Sequence, residues 1–395
     1  MAGFERGSRG YRRMLGALFL AGIATFAQLY APQAVLPLIA RSFRVDATAS
    51  ALSISAATVG LAIGVIPWSL AGDRIGRARA MSIALVAATV LGVLAPLTPA
   101  FPLFLAGRVL EGLFLGGVPA LAIAYLSEEI SAAHSARAAG TYVAGTTIGG
   151  LLGRIVAGPL ADLAGWRTGV LVVIAICACA TAGFIALAPR PTHAPRLMRT
   201  GATDAGLGRT LAVHLRSPRQ LALYAQAFLL MGGFVAMYNY LGFRLERHPF
   251  SLPASLIALV FLAYLAGTWS SAQAGALATR LGRRAVLLGS VAVMAAGVAI
   301  TLVDVLWVVL VGLVVATAGF FGAHAIASGW TGHDAAFGRG QAAALYNLAY
   351  YAGSSLFGWL GGFAFVGGGW PAAALLIGGL AVLAGAIALT LPRRV

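Results

Sequence analysis

The chain has 395 residues, 60% of them hydrophobic and only 10% charged, and its mean hydropathy of +0.90 lies far outside the range of soluble domains. Its net charge of +16 comes from 27 arginines, with no lysine anywhere. A P-loop needs its lysine on the nucleotide phosphates, and retinal and pyridoxal proteins need one for the Schiff base, so a nucleotide-driven pump domain, a light-driven pump and a pyridoxal enzyme are disfavoured.

Apolar runs of about 20 residues, enough to cross a hydrocarbon core of roughly 30 Å, predict twelve membrane helices. The first six cover 14–39, 50–70, 79–98, 101–126, 137–161 and 168–188; the second six cover 221–241, 253–278, 285–303, 305–330, 339–365 and 370–391. Arg6, Arg9, Arg12 and Arg13 precede the first run, which is too long for a removable signal and lacks a small-residue cleavage site, so it is expected to stay as an anchor. Cys177 and Cys179 stand two apart in the sixth run, where a helix turns them to different faces. They read as packing residues; no disulfide, metal or cofactor is implied, and no HExxH occurs.

Residues 189–220 turn polar, which predicts a cytoplasmic linker between a bundle at 1–188 and another at 221–395. Placing both termini inside puts 20 of the 27 arginines on the cytoplasmic side, five outside, and Arg108 and Arg154 within the membrane. That asymmetry accounts for the basic charge without nucleic acid, since no aromatic-interleaved basic patch accompanies it. The halves also repeat. The turn Asp73-Arg74-Ile75-Gly76-Arg77 recurs 206 positions later as Thr279-Arg280-Leu281-Gly282-Arg283, and the stretch from Thr141 to Gly150 aligns with Leu345 to Ser354 at an offset of 204.

These features resemble the major facilitator superfamily over the whole chain: an all-α integral membrane protein with twelve helices in two pseudo-symmetric six-helix bundles. The charged turn resembles the superfamily's signature loop, with Ser69 where glycine is usual and Thr279 where the second copy would carry its acid. The resemblance implies a cytoplasmic latch built from Asp73, Arg74, Gly76 and Arg77, echoed weakly by Arg280, Gly282 and Arg283. Asp73 is then expected beside a helix N-terminus, stabilised by its dipole and by nearby arginines.

Arg108-Val109-Leu110-Glu111-Gly112 resembles the Arg-x-x-Gln-Gly motif of proton-coupled members, with Glu111 at the glutamine. Gly145, Gly149, Gly150, Gly153 and Arg154 fall on the signature of drug:proton antiporters, with Gly150 at its proline and Arg154 at its last glycine. The spaced glycines predict close helix packing. The chain is similar overall to the bacterial acriflavine-sensitivity-type subgroup.

A charge in the bilayer costs about 2.5–3.5 kcal/mol on insertion scales and normally faces a partner or a cavity. Arg108 and Glu111 are helical neighbours, and Arg154 lies equally far from the outer end of its own span, so an Arg108, Glu111 and Arg154 cluster is expected. Glu111 is its proton carrier, or else the cluster is a static structural triad. His324 is a second titratable candidate. Gln28, Tyr30, Tyr238, Asn239, Tyr240, Tyr264, Tyr346, Asn347, Tyr350 and Tyr351, with Arg154, are candidates to line a substrate cavity.

The expected function is secondary transport of a small amphipathic organic solute across the cytoplasmic membrane by alternating access, with proton-coupled efflux. An organic-anion exporter or uptake symporter, and a non-transporting sensor or scaffold, stay open. Small-molecule substrate, protons and membrane lipids are the expected partners, and a monomer the expected state.

Overall fold

A computed structural model describes residues 4–189, 204–335 and 337–392. In the first half, α1 (Arg9–Tyr30) runs through a 3₁₀ turn (Ala31–Val35) into α2 (Leu36–Phe43). It is followed by α3 (Ala47–Ile75), α4 (Arg77–Leu97), α5 (Phe101–Leu115), α6 (Gly117–Glu129), α7 (Ala132–Ala164) and α8 (Trp166–Leu187). The second half holds α9 (Asp204–Arg216), α10 (Pro218–Glu246), α11 (Ala254–Leu259), a 3₁₀ turn (Val260–Ala263), α12 (Tyr264–Leu281), α13 (Arg283–Ile300), α14 (Leu306–Asp334) and α15 (Arg339–Ala388).

Among the described residues, eleven stretches are long and apolar enough to cross a membrane. The last of them, α15, leaves helical geometry at Gly368 and Gly369, so its two limbs are the eleventh and twelfth spans expected from the sequence. The expected linker is in part helical, as α9; its residues 190–203 lie outside the described residues.

The helix breaks trace to single residues. Pro32 has no N–H to give the carbonyl of Gln28, so α1 stops at Tyr30 and the chain tightens into its 3₁₀ turn. The first span is thus broken rather than one uninterrupted helix, and it starts at Arg9, with Ser8 Oγ accepting the N–H of Tyr11 at 3.1 Å. Gly76 and Gly282 separate α3 from α4 and α12 from α13 with φ of 90° and 83°, a region glycine enters without penalty. They stand 206 positions apart. Gly165 and Gly369, with φ of 87° and 64°, stand 204 apart and each precedes a buried tryptophan, Trp166 or Trp370. The backbone repeats at the same offsets as the sequence.

The chain forms two compact units. The first comprises Met1–Phe43, Ala56–Gly201 and Ala254–Ala258; the second comprises Arg44–Ser55, Ala202–Pro253 and Leu259–Val395. Within the first, a side chain on Gly145, Gly149 or Gly153 of α7 would strike the backbone of Phe19, Ile23 or Ala27 on α1. The predicted glycine face therefore exists, but Gly150 is not part of it: a Cβ there would meet only Arg154 Nη1, at 3.3 Å. Four residues per repeat keep three glycines on one helix face, and Gly150 falls one step, about 100°, off it. Within the second unit, Gly353 of α15 abuts the backbone of Phe228 on α10 in the same manner.

Candidate substrate and coupling site

The first unit holds buried charge. Arg108 and Glu111 lie one turn apart on α5 and form an ion pair, Nη1 to Oε2, at 2.6 Å, with both side chains almost fully buried. The broken end of α1 explains how the guanidinium is kept there. Its Nη1 also donates to the Gln28 carbonyl at 3.3 Å and its Nη2 to the Leu29 carbonyl at 2.6 Å, replacing donors the interrupted helix lacks.

Arg154 does not join this pair. Its Nε and Nη2 donate to Gln33 Oε1 at 2.8 and 2.6 Å, its Nη1 to the Gly150 carbonyl at 2.7 Å, and its guanidinium lies 4.3 Å from the centre of the Tyr30 ring. Among the described residues Glu111 has Arg108 as its one ionic partner. The expected three-membered cluster is instead two neighbouring sets, because equal depth along two helices does not make their side chains face each other. Gln33 was not singled out from the sequence; an amide just past the proline in a membrane run was its only signal.

The second unit is aromatic where the first is charged. Phe234 stacks on Phe320 with centroids 3.9 Å apart, and rings of Tyr238, Phe261, Tyr264 and Phe321 continue the packing. His324 Nδ1 lies 3.0 Å from the Tyr346 hydroxyl, and its ring centroid 5.0 Å from that of Tyr350. His324, Tyr346 and Tyr350 are thus brought together, with His324, Tyr350 and Tyr351 partly exposed. Tyr238 shares a hydrogen bond of 2.8 Å with Thr317. Asn239 and Tyr240 both donate to the Gly358 carbonyl, at 3.3 and 2.7 Å, tying α10 to α15. Asn347 is exposed. Gln28 is fully buried, its Nε2 bonded to the Ala24 carbonyl at 2.8 Å.

At the charged turn, Arg77 rather than Asp73 is the hub. It pairs with Asp73 at 2.6 Å and with Glu128, at the end of α6, at 3.2 Å. Asp73 has no hydrogen-bond or ionic partner beyond Arg77 among the described residues, so of the stabilisation expected for it the arginine contact is the one seen. Arg74 and Arg280 are exposed, and in the repeat copy Thr279 bonds its own helix at the Ala276 carbonyl, 2.7 Å away, leaving Arg283 without an acid there.

Long apolar helices in two units, with a buried ion pair in one and clustered aromatics in the other, define a multi-span membrane protein. The chain belongs to the Major Facilitator Superfamily, which residues 18–271 match. It is 37% identical to the inner membrane transport protein YnfM of Escherichia coli over 99% of this chain and 93% of that one. It is 35% identical to the MFS-type transporter YybF of Bacillus subtilis over 94% and 91%. A more distant relative, the chloramphenicol efflux pump MT0201 of Mycobacterium tuberculosis, is 26% identical over 56% of this chain and 53% of its own.

The fold is shared with the Escherichia coli xylose transporter XylE, at a TM-score of 0.76 and 16% identity over 97% of this chain and 98% of that one. A bacterial homologue of the human lysosomal transporter Spinster gives 0.76 and 16% over 98% and 96%. The protein is a transporter and not an enzyme.

Proposed function

We propose that the protein exports a small amphipathic organic solute across the bacterial inner membrane in exchange for protons, by alternating access, as a monomer with both termini in the cytoplasm. The observation that carries this reading is the Arg108–Glu111 pair, whose side chains are only 3% and 1% exposed. A carboxylate this deep is costly unless paired, and truncating one partner of such a pair leaves an isolated charge. Protonating Glu111 releases Arg108 from a full charge partner, so proton binding and the packing of α5 against the end of α1 are linked.

The aromatic cluster around His324 supports an amphipathic cargo with a flat apolar part, because rings combine apolar area with polar edges. Efflux is supported by the named activity of the mycobacterial relative, and the inner membrane by the name of the Escherichia coli one. The organic-anion alternative drew on Arg154, whose donors are occupied by Gln33 and Gly150 in this structure.

The test is proteoliposomes with an interior pH dye, screened with amphipathic cations, neutral compounds and carboxylates. Substrate-driven proton flux lost in Glu111→Gln, with substrate exchange retained, is the expected result. Flux confined to carboxylates and dependent on Arg154 would replace this reading with anion transport.

A further inference from the structure

Two buried acceptors in the first unit converge on one point. Glu111 gives Oε2 to Arg108 and Gln28 gives Nε2 to Ala24, which leaves each side chain with its Oε1. Neither Oε1 accepts a hydrogen bond from the described residues, and the two side chains are 1% and 0% exposed. Between them lies Gly92 of α4. A Cβ on Gly92 would stand 3.2 Å from Gln28 Oε1 and 3.3 Å from Glu111 Oε1, with Ile174 Cδ1 closing the apolar side at 2.9 Å.

Two buried acceptors within reach of one point call for a small partner that brings two donor hydrogens, because an unmatched buried acceptor is costly. The titratable groups around the point come from two helices: the Arg108–Glu111 ion pair on α5 and the buried, neutral thiol of Cys177 on α8. Arg108 already neutralises Glu111, so the point offers no excess negative charge to a metal cation. A neutral molecule with two O–H donors fits both the geometry and the charge.

We propose that Gln28, Gly92 and Glu111 form a binding site for a single water molecule that donates to both Oε1 atoms and relays the transported proton to Glu111. When a proton reaches that water, one O–H bond of the resulting hydronium breaks as Oε1–H of Glu111 forms, and the water is regenerated. Gly92 is in this scheme a positioning residue, required because any side chain would occupy the water's place. The inference rests on the reading of Glu111 as proton carrier.

The experiment compares wild type, Gly92→Ala, Ile174→Val, Gly92→Ala/Ile174→Val and Glu111→Gln in proteoliposomes, by substrate-driven proton flux, substrate counterflow and infrared difference spectra. Ile174→Val removes the Cδ1 that crowds position 92, so the double variant keeps a methyl against the two oxygens while relieving the packing. Both variants carrying Gly92→Ala should lose about tenfold or more in proton flux, the scale of one lost buried hydrogen bond, and keep counterflow; Ile174→Val alone should match wild type. The carboxylic-acid stretch of Glu111, identified by its loss in Glu111→Gln, should shift in frequency as the water that accepts from its protonated Oε1 is removed.

Wild-type proton flux in the double variant overturns the water site, as does loss of its counterflow together with its flux, which would mark position 92 as packing alone. A requirement for sodium in wild-type flux overturns it too, by making the point a cation site. Coupled flux surviving in Glu111→Gln sinks the carrier reading itself; flux lost there but intact in Gly92→Ala sinks only the water.

Discussion

The two units place a guanidinium against an aromatic pair at matching points, yet they draw it from different places. In the first unit Arg167 lies over Trp166 and Phe43, at 4.6 and 5.3 Å, and donates to the Pro96 carbonyl near the end of α4 at 2.9 Å. In the second, Arg244 lies over Trp370 and Phe250, both at 5.3 Å, and donates to the carbonyls of Thr301 and Val303 just past α13. The tryptophans are repeat partners; the arginines are not, since Pro371 stands where Arg167 would recur. What the repeat has kept is the physical requirement, a planar donor with several N–H groups on the bare carbonyls of a helix end, rather than the residue's position. Deeper in, the units diverge: a buried ion pair in one, stacked rings and an imidazole in the other.

The largest way to break that contrast is Arg108→Met, which strands Glu111 and frees the end of α1. It should destabilise the protein by about 3–5 kcal/mol, read as a lower unfolding temperature in detergent. Adding Glu111→Leu should recover much of that loss while leaving proton-driven transport abolished, because an apolar pair tolerates burial better than a lone charge. If the double variant is no more stable than the single, the pair's main role is holding α1 rather than balancing charge. Arg244→Lys comes next, at about 1–3 kcal/mol, since an ammonium cannot serve the Thr301 and Val303 carbonyls and Asp304 in one plane; Arg167→Lys should cost less, having no carboxylate to lose. Equal losses would mean that Asp304, which is mostly solvent-facing, adds nothing.

Tyr346→Phe is smaller still. It removes the hydroxyl on His324 at 3.0 Å and should shift stability by about 1 kcal/mol while changing the ranking among aromatic and aliphatic substrates. An unchanged ranking would confine the ring cluster to packing.

Which of this was legible beforehand follows from the range of the forces involved. Span lengths, the 6 + 6 repeat and the glycine face of α7 are periodic and local, and they appear in the structure close to where the apolar runs and spacings put them. The Arg108–Glu111 pair was readable because both groups share one helix turn. Arg154 with Gln33, His324 with Tyr346, and Glu128 with Arg77 join residues 121, 22 and 51 positions apart, and only packing decides which helix faces meet. The breaks at Tyr30 and Gly369 sit between these cases: Pro32 and the glycine run at 367–369 mark them, but how far a membrane helix tolerates such residues depends on what satisfies the freed carbonyls, and at the end of α1 that is Arg108 from another helix.

The smallest effect sharpens the comparison of the two charged turns. Asp73 is 45% exposed and Arg77 only 14%, and Arg77 has Glu128 as a second acid. Losing Asp73 therefore leaves Arg77 paired, and Asp73→Asn should cost about 0.2–1 kcal/mol, less at high salt. Removing both acids with Asp73→Asn/Glu128→Gln should exceed the sum of the single changes, because the second loss strands a mostly buried guanidinium that the first does not. The second copy, with Thr279 at the acid's position, already lives without such a pair, so Thr279→Asp should stabilise by a similar few tenths through Arg283 one turn on. Strict additivity of the two acids, measured by thermal unfolding across salt concentrations, would return the first turn to a set of independent surface charges.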